Sequence, residues 1–320
     1  MYKINVDNNL IKEIVQKEYK GLNLREIYQY HDGFVHKKYR ISFDKGDSVV
    51  LRFPAEIKDF IFGDSYSLGK EAYITRLIRE KTDIKVPRIL SLDKHKDIEY
   101  LLMDCLEGDN LTNAPRYHNK ETIENIIQEW GAAMSQIHSQ IKFSDIGYIG
   151  ENGLVKTFDK FSDIFERFLK LKLISDDIPI ELRKESEEFF LKYKDQLDKE
   201  KDPTLVLYDI NTGNVIVNNK GRLGGLLDFD CAFSSGNTSP DFMFSLLDRK
   251  VGDVNIKDLF LKGYKEGGGK LPQNLDILNK LNTLNFILST ILFYKGATGH
   301  RATWSTEYTQ KLEQFLKENG

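Results

Sequence analysis

A chain of 320 residues, 40% hydrophobic and 30% charged, is an ordinary globular composition with room for a large core and two lobes. Its 46 basic and 49 acidic residues give a net charge of −3, which argues against a dedicated nucleic-acid binder. No stretch reaches the ~20 apolar residues of a membrane span, and Cys105 and Cys231 lie far apart with no CxxC spacing, so reduced thiols in a soluble, cytoplasmic protein are expected.

The N-terminus, MYKINVDNNLIKEIVQKEY, carries acids and lacks the apolar core of a signal peptide. Within it, residues 9–19 show apolar positions at helical spacing and predict a short amphipathic helix. Residues 24–54 then alternate, with turn signals at Asp32-Gly33 and Lys45-Gly46-Asp47, and predict antiparallel strands joined by tight turns. Helical period returns over 67–81, and VPRILSLD and IEYLLMDCLEGDNL read as two further strands, the second broken at Glu107-Gly108-Asp109. Beyond a lobe boundary near 104–110 the pattern changes. Residues 119–141 predict a long helix, and 155–200 read as charged and helical, with Phe158, Phe161, Phe165 and Phe168 every three or four positions. A strand pair around Asp209 and Asp228 interrupts the helices, which resume over 240–320.

The strand pair carries the chemistry. TLVLYDINTGNVIV places Asp209 and Asn214 between two apolar runs, and Asp228-Phe229-Asp230 ends the next run, 14 residues after Asn214. The turn residues Asn218-Asn219-Lys220-Gly221 return the chain, so Asp228 can approach Asn214 and Asp209. Two carboxylates and an amide oxygen are hard ligands of the kind Mg²⁺ takes together with water and phosphate. Taken singly, an Asp or Asn at a strand end is more often a turn residue bonding its own backbone. The ordered set Asp209, Asn214, Asp228 on a strand–turn–strand frame is far more specific.

YDINTGN followed by LLDFD resembles the catalytic and metal-binding segments of the aminoglycoside phosphotransferase family, which includes choline, homoserine and macrolide kinases. That resemblance implies an α+β, protein-kinase-like bilobal fold: a nucleotide-binding lobe over 1–104 and a helical catalytic and substrate-binding lobe over 105–320. It implies ATP or GTP as phosphate donor, Asp209 as the carboxylate beside the acceptor hydroxyl, and Asn214 and Asp228 as Mg²⁺ ligands. Arg52 in SVVLRFP resembles the phosphate-contacting cation of the strand where protein kinases have Lys, and Glu71 resembles the helix acid that orients it. The bland reading of Glu71 is a solvated helix charge. Met103 would flank the base, and the backbone of Asp104, Cys105 and Leu106 would bond its edge; Met103 reads almost as well as a plain core residue.

The segment over the phosphates should be YHDGFVHKKYRIS, which has only Gly33, with Lys37 and Lys38 as helpers or as a solvated strand edge. His138 resembles the helix end beneath the catalytic loop, Asp241 reads as a helix N-cap, and Asp230 as a candidate supporting acid. The family usually has His-Gly before the catalytic Asp, where this chain has Leu207-Tyr208. The acceptor implied is a small hydroxylated molecule, an aminoglycoside-type antibiotic or another cationic compound, with choline, homoserine, sugar or macrolide kinases as alternatives. Two other classes compete: a kinase-shaped binding or coat-like protein without turnover, and a protein kinase. The presence of Asp209 and Asp228 argues against the first, and the short run from Asp228 to Pro240 against the second. Neither the choice between monomer and dimer nor the acceptor follows from the residues.

Overall fold

The computed structural model describes residues 6–30, 36–54, 67–243, 249–295 and 303–320. Helix α1 (Asn8–Glu18) begins where the Asp7 carboxylate accepts the Leu10 N–H at 2.8 Å, an N-cap that satisfies a donor the helix itself cannot. It lays Leu10, Ile11, Ile14 and Val15 on a five-stranded antiparallel sheet. The strands are β1 (Leu24–Tyr30), β2 (Lys37–Phe43), β3 (Val49–Phe53), β4 (Ile89–His95) and β5 (Ile98–Asp104), in spatial order β1-β2-β3-β5-β4.

Period-two alternation decides what each face does. Tyr39, Ile41, Phe43, Val49, Leu51, Phe53, Tyr100 and Leu102 pack toward α1. The intervening residues, among them Lys38, Arg52, Leu101 and Met103, therefore point the other way. There helix α2 (Leu68–Lys81), capped by Ser67, covers the sheet with Leu68 and Ala72 against Leu101 and Met103. The first turn expected in this lobe, at Asp32-Gly33, lies outside the described residues; the second holds, with Gly46 at φ +93°.

The second lobe begins with β6 (Asp109–Asn110), which joins β10 (Val215–Val217) and β11 (Leu223–Leu226) in a three-stranded sheet. Helix α3 (Lys120–Gln140) runs behind it and packs on α6 (Ile256–Glu266). A Cβ at Gly131 would stand 2.1 Å from the Phe260 carbonyl, and one at Gly263 would stand 2.0 Å from that of Gln128. Only glycines allow these two helices to touch backbone to backbone.

A second sheet, β8-β7-β12-β9, comprises β7 (Ile146–Gly150), β8 (Gly153–Phe158), β9 (Thr204–Val206) and β12 (Phe233–Ser235). Against it stand α4 (Phe161–Leu173), α5 (Ile180–Tyr193), α7 (Leu275–Phe293) and α8 (Trp304–Asn319) around a separate core.

Two expectations change here. The segment 155–200 is not helical throughout: Phe158 ends strand β8, because the Gly150–Gly153 turn folds 153–158 back onto β7, and the helices start at Phe161. Among the described residues, 240–320 likewise include a 3₁₀ turn, Ser239–Phe242, and a hairpin of β13 (Lys250–Val251) and β14 (Val254–Asn255) as well as helices. Among the described residues no helix is long and apolar enough to cross a membrane.

Candidate active site

Strand β9 delivers the chain to Leu207, Tyr208 and Asp209, and buried Asp241 holds this loop from beneath. Its Oδ2 accepts the Leu207 N–H at 2.9 Å and its Oδ1 the Tyr208 N–H at 2.6 Å. His138, near the end of α3, stands 3.0 Å from Asp241 Oδ2 through Nε2, and its Nδ1 is 2.9 Å from the Tyr264 hydroxyl. The ring thus bridges the Asp241 carboxylate and the Tyr264 phenol. Asp241 lies within the 3₁₀ turn Ser239–Phe242, whose N-cap is Thr238, and spends both oxygens on the catalytic loop; the start of the helix it was expected to cap lies outside the described residues. Tyr208 needs such support, because its φ of +68° lies in the left-handed region that a bulky side chain disfavours.

Past Asp209 the chain makes an Asx turn, in which Asn211 Oδ1 accepts the Gly213 N–H at 2.9 Å. The Asn211 amide then donates to Asp209 Oδ1 at 2.9 Å, and the Asn214 amide donates to Asp209 Oδ2 at 3.3 Å and to its carbonyl at 3.2 Å. Asn211 was missed in the sequence, although an Asn two residues after an Asp and two before a Gly is itself a turn signal. Strands β10 and β11 pair Val215 with Leu226, and the Leu227 N–H reaches the Asn214 carbonyl at 2.9 Å. This register carries Asp228 to the mouth of the hairpin. Asp209, Asn211, Asn214 and Asp228 consequently line one pocket together with Trp130, Met134 and Phe229.

The first lobe meets this group from above. Arg52, almost wholly buried, pairs with Glu71 of α2 and reaches Asp228 Oδ1 at 3.1 Å through Nη2. Beside it on β2, Lys38 Nζ lies 2.8 Å from Asp228 Oδ2. Asp230 lies 3.9 Å from Arg52 Nη2 and 3.0 Å from the Nε2 of buried His36, whose Nδ1 is 3.1 Å from the Phe53 carbonyl. Glu71 is thus no solvated helix charge.

Met103 is buried against α2. The Asp104 and Cys105 N–H groups are already spent on the Arg88 and Ser48 carbonyls, at 3.0 and 3.2 Å. This narrows the linker donors for a base edge to the Leu106 N–H. Gly33 lies outside the described residues.

The electrostatics follow from burial and neighbours. Burial raises the Asp209 carboxyl to about 6, nearby Asp228 adds to the rise, and the two Asn amides oppose it. Asp228 moves the other way: burial would raise it, but Lys38 and Arg52 hold it well below the usual carboxylate range. Burial also pulls Glu71 upward against the attraction of Arg52. For Arg52 burial is outweighed by Glu71, Asp228 and Asp230, which hold it above its ordinary value.

Among the described residues no three His, Cys, Asp or Glu side chains gather at one point as a protein-made metal cage would require. The donor set instead fits a hard cation sharing its shell with water and phosphate. Because the Asn214 amide nitrogen is committed to Asp209, its Oδ1 is the atom left for such a cation.

An antiparallel-sheet lobe whose Arg–Glu pair faces an Asp–Asn–Asp group at the edge of a helical lobe is the protein-kinase-like architecture of small-molecule phosphotransferases. The model of the phosphotransferase enzyme family, APH, matches residues 26–276, and the chain belongs to that family. Its fold is similar to that of aminoglycoside phosphotransferase APH(4)-Ia, with a TM-score of 0.70 at 13% identity over 98% of this chain and 100% of that one. APH(2'')-IIa, solved as a gentamicin complex, gives 0.65 at 18% identity over 99% and 98%.

The curated relatives match over a smaller part of the chain. Altered inheritance of mitochondria protein 9, mitochondrial, of Meyerozyma guilliermondii is 23% identical over 142 residues, 42% of this chain and 22% of that protein. Its Candida albicans (strain WO-1) counterpart is 23% identical over 53% of this chain and 26% of that protein. The chain thus spans about a quarter of the length of these relatives.

Proposed function

We propose that the chain is a cytoplasmic small-molecule kinase that transfers the γ-phosphate of ATP or GTP to a substrate hydroxyl, with an aminoglycoside-type acceptor as the first candidate. In this reading residues 1–104 bind the nucleotide and 105–320 carry the catalytic and acceptor sites. The observation that carries it is the single pocket shared by Asp209, Asn214 and Asp228, facing the buried Arg52–Glu71 pair. Asp209 accepts the hydroxyl proton as the oxygen attacks the γ-phosphorus, and the bond from that phosphorus to the nucleoside diphosphate breaks. Its raised pKa supports the role: a carboxylate poised near neutrality binds a proton more readily than an ordinary surface Asp.

Arg52, steered by Glu71, contacts the phosphates. Asn214 and Asp228 hold Mg²⁺, which when bound would offset the charge of the phosphates. Met103 borders the base, and the linker from Asp104 through Cys105 to Leu106 runs along its edge, with the Leu106 N–H as donor.

Several solved neighbours support nucleotide and acceptor together: APH(4)-Ia variants were crystallised with AMP-PNP and hygromycin B or with ADP and hygromycin B, and APH(2'')-IIa with gentamicin. Those acceptors are small, hydroxylated and cationic. For this chain the acceptor is argued from fold likeness, so a substrate panel is the deciding experiment. Purified protein would be given labelled ATP or GTP with aminoglycosides, choline, other amino alcohols and generic protein substrates. Labelled small molecules are expected; labelled protein alone would overturn the acceptor class.

A further inference from the structure

Strands β2 and β3 pair Lys38 directly with Arg52, which places two cations side by side on one face of the sheet. Like charges so placed repel, and here both lean on the same carboxylate, Asp228. Their surroundings differ. Arg52 and Glu71 are 4% and 3% exposed at the side chain, walled into the lobe, whereas Lys38 and Asp228 are 22% and 17% exposed and open to the cleft. Arg52 also has Glu71 and Asp230 at hand, so it stays neutralised if Asp228 turns away.

We infer that Lys38 is a second phosphate-contacting cation, one that leaves Asp228 for the nucleotide phosphates when the cleft is loaded. This rests on the kinase reading above. Asp228 cannot serve Lys38 and a divalent cation at full strength with the same oxygens, and phosphate oxygens are the natural alternative partner for a freed ammonium. Arg52 is then the fixed cation of the pair and Lys38 the exchanging one.

The two possible roles of Lys38 have opposite signs. If Lys38 only clamps Asp228, its removal frees a metal ligand and leaves Mg²⁺-nucleotide binding unchanged or tighter. If it contacts phosphate, removal weakens triphosphate binding while Mg²⁺ alone, relieved of a competitor, binds no worse. Calorimetry on the full chain would compare ATP, AMP and Mg²⁺ for wild type, Lys38→Met and Lys38→Arg, with thermal melts to establish that each variant is folded. Lys38→Met is expected to weaken Mg²⁺-ATP binding roughly 10- to 100-fold, the scale of one charge-assisted phosphate contact. AMP should shift far less, and Lys38→Arg should stay near wild type. Unchanged or tighter ATP binding in folded Lys38→Met, or equal losses for AMP and ATP, would overturn the inference. Wild type that binds no nucleoside triphosphate would sink the kinase reading and this inference with it, whereas wild-type binding with an indifferent Lys38→Met sinks Lys38 alone.

Discussion

The Asn285 side-chain amide donates to the Tyr208 hydroxyl at 2.7 Å, linking helix α7 to the residue that precedes the catalytic carboxylate. Asn285 is itself bonded by the buried Lys172 of α4. Tyr208 also packs on Phe233 of β12, with ring centroids 6.0 Å apart. A tyrosine at φ +68°, where the family usually has glycine, is thus held by its side chain as well as by Asp241. Left-handed backbone costs a non-glycine residue about 1 kcal/mol or more, so these contacts must exceed that.

Tyr208→Phe keeps the ring and the strain but leaves the Asn285 donor without this acceptor, and is expected to destabilise by about 1–3 kcal/mol. Tyr208→Gly removes strain and contacts together, so its net loss should be smaller than the contacts alone suggest. Denaturant unfolding of the two variants checks this; a Tyr208→Phe as stable as wild type would show that the relay contributes nothing.

Removing the Asp241 carboxylate strands the Leu207 and Tyr208 N–H groups and the His138 Nε2 in a buried site. Asp241→Ala should cost about 3–5 kcal/mol, the scale for leaving buried partners uncompensated. Asp241→Asn, which retains one acceptor, should cost less and lower turnover more than nucleotide affinity, because the damage falls on the loop carrying Asp209. Thermal melts and nucleotide titrations of both variants measure these effects.

Arg52 neutralises three acids at once, so Arg52→Ala should do more than weaken nucleotide binding. Buried Glu71 would lose the cation that pairs with it, while Asp228 would keep only Lys38 and Asp230 only His36. A stability loss of about 3–5 kcal/mol is expected, with Arg52→Lys intermediate because a point charge replaces a fork. Adding Glu71→Gln to Arg52→Ala should recover part of the loss, and a double-mutant cycle in urea reads the coupling directly.

Local patterns made much of this legible in the sequence, and distance along the chain hid the rest. The resemblance of SVVLRFP singled out Arg52, which β3 sets on the face opposite Val49 and Leu51, and the strand–turn–strand spacing brought Asn214 and Asp228 together. Asp241 reads locally as a cap, an Asp after a Pro at a turn, and nothing local points to the Tyr208 N–H that its carboxylate accepts from 33 residues back in the chain. The His36–Asp230 contact spans 194 residues and both lobes, and no spacing rule reaches that far. The phenylalanines from 158 to 168 fit helical period, but pairing of β8 with β7 took Phe158 into a strand. Tertiary pairing overrode a periodicity of only four residues.

The Asp209 carboxyl joins activity to stability with opposite signs. Burial, and secondarily Asp228, raises it to about 6 in the folded chain from an ordinary 3.8. As a base it must be ionised, so the rate should fall about tenfold per pH unit below roughly 6, giving the acid limb of the profile. For folding, a raised pKa means the native state holds the proton more tightly than the unfolded chain. That contribution is fully present below about pH 4 and is lost as pH rises through about 6. At pH 7–8 the ionised, largely desolvated carboxylate therefore weakens the fold, on the order of 1–3 kcal/mol, with the lower figure favoured by its partial opening to the cleft. Asp209→Asn keeps the shape and removes the charge. Transfer should drop by roughly 10²- to 10⁴-fold and the acid limb should disappear, nucleotide binding should survive, and urea unfolding at pH 8 should show a variant at least as stable as wild type. Wild-type turnover in Asp209→Asn would remove the catalytic assignment, and a variant markedly less stable at pH 8 would show that the amide contacts from Asn211 and Asn214, rather than desolvation, dominate at this position.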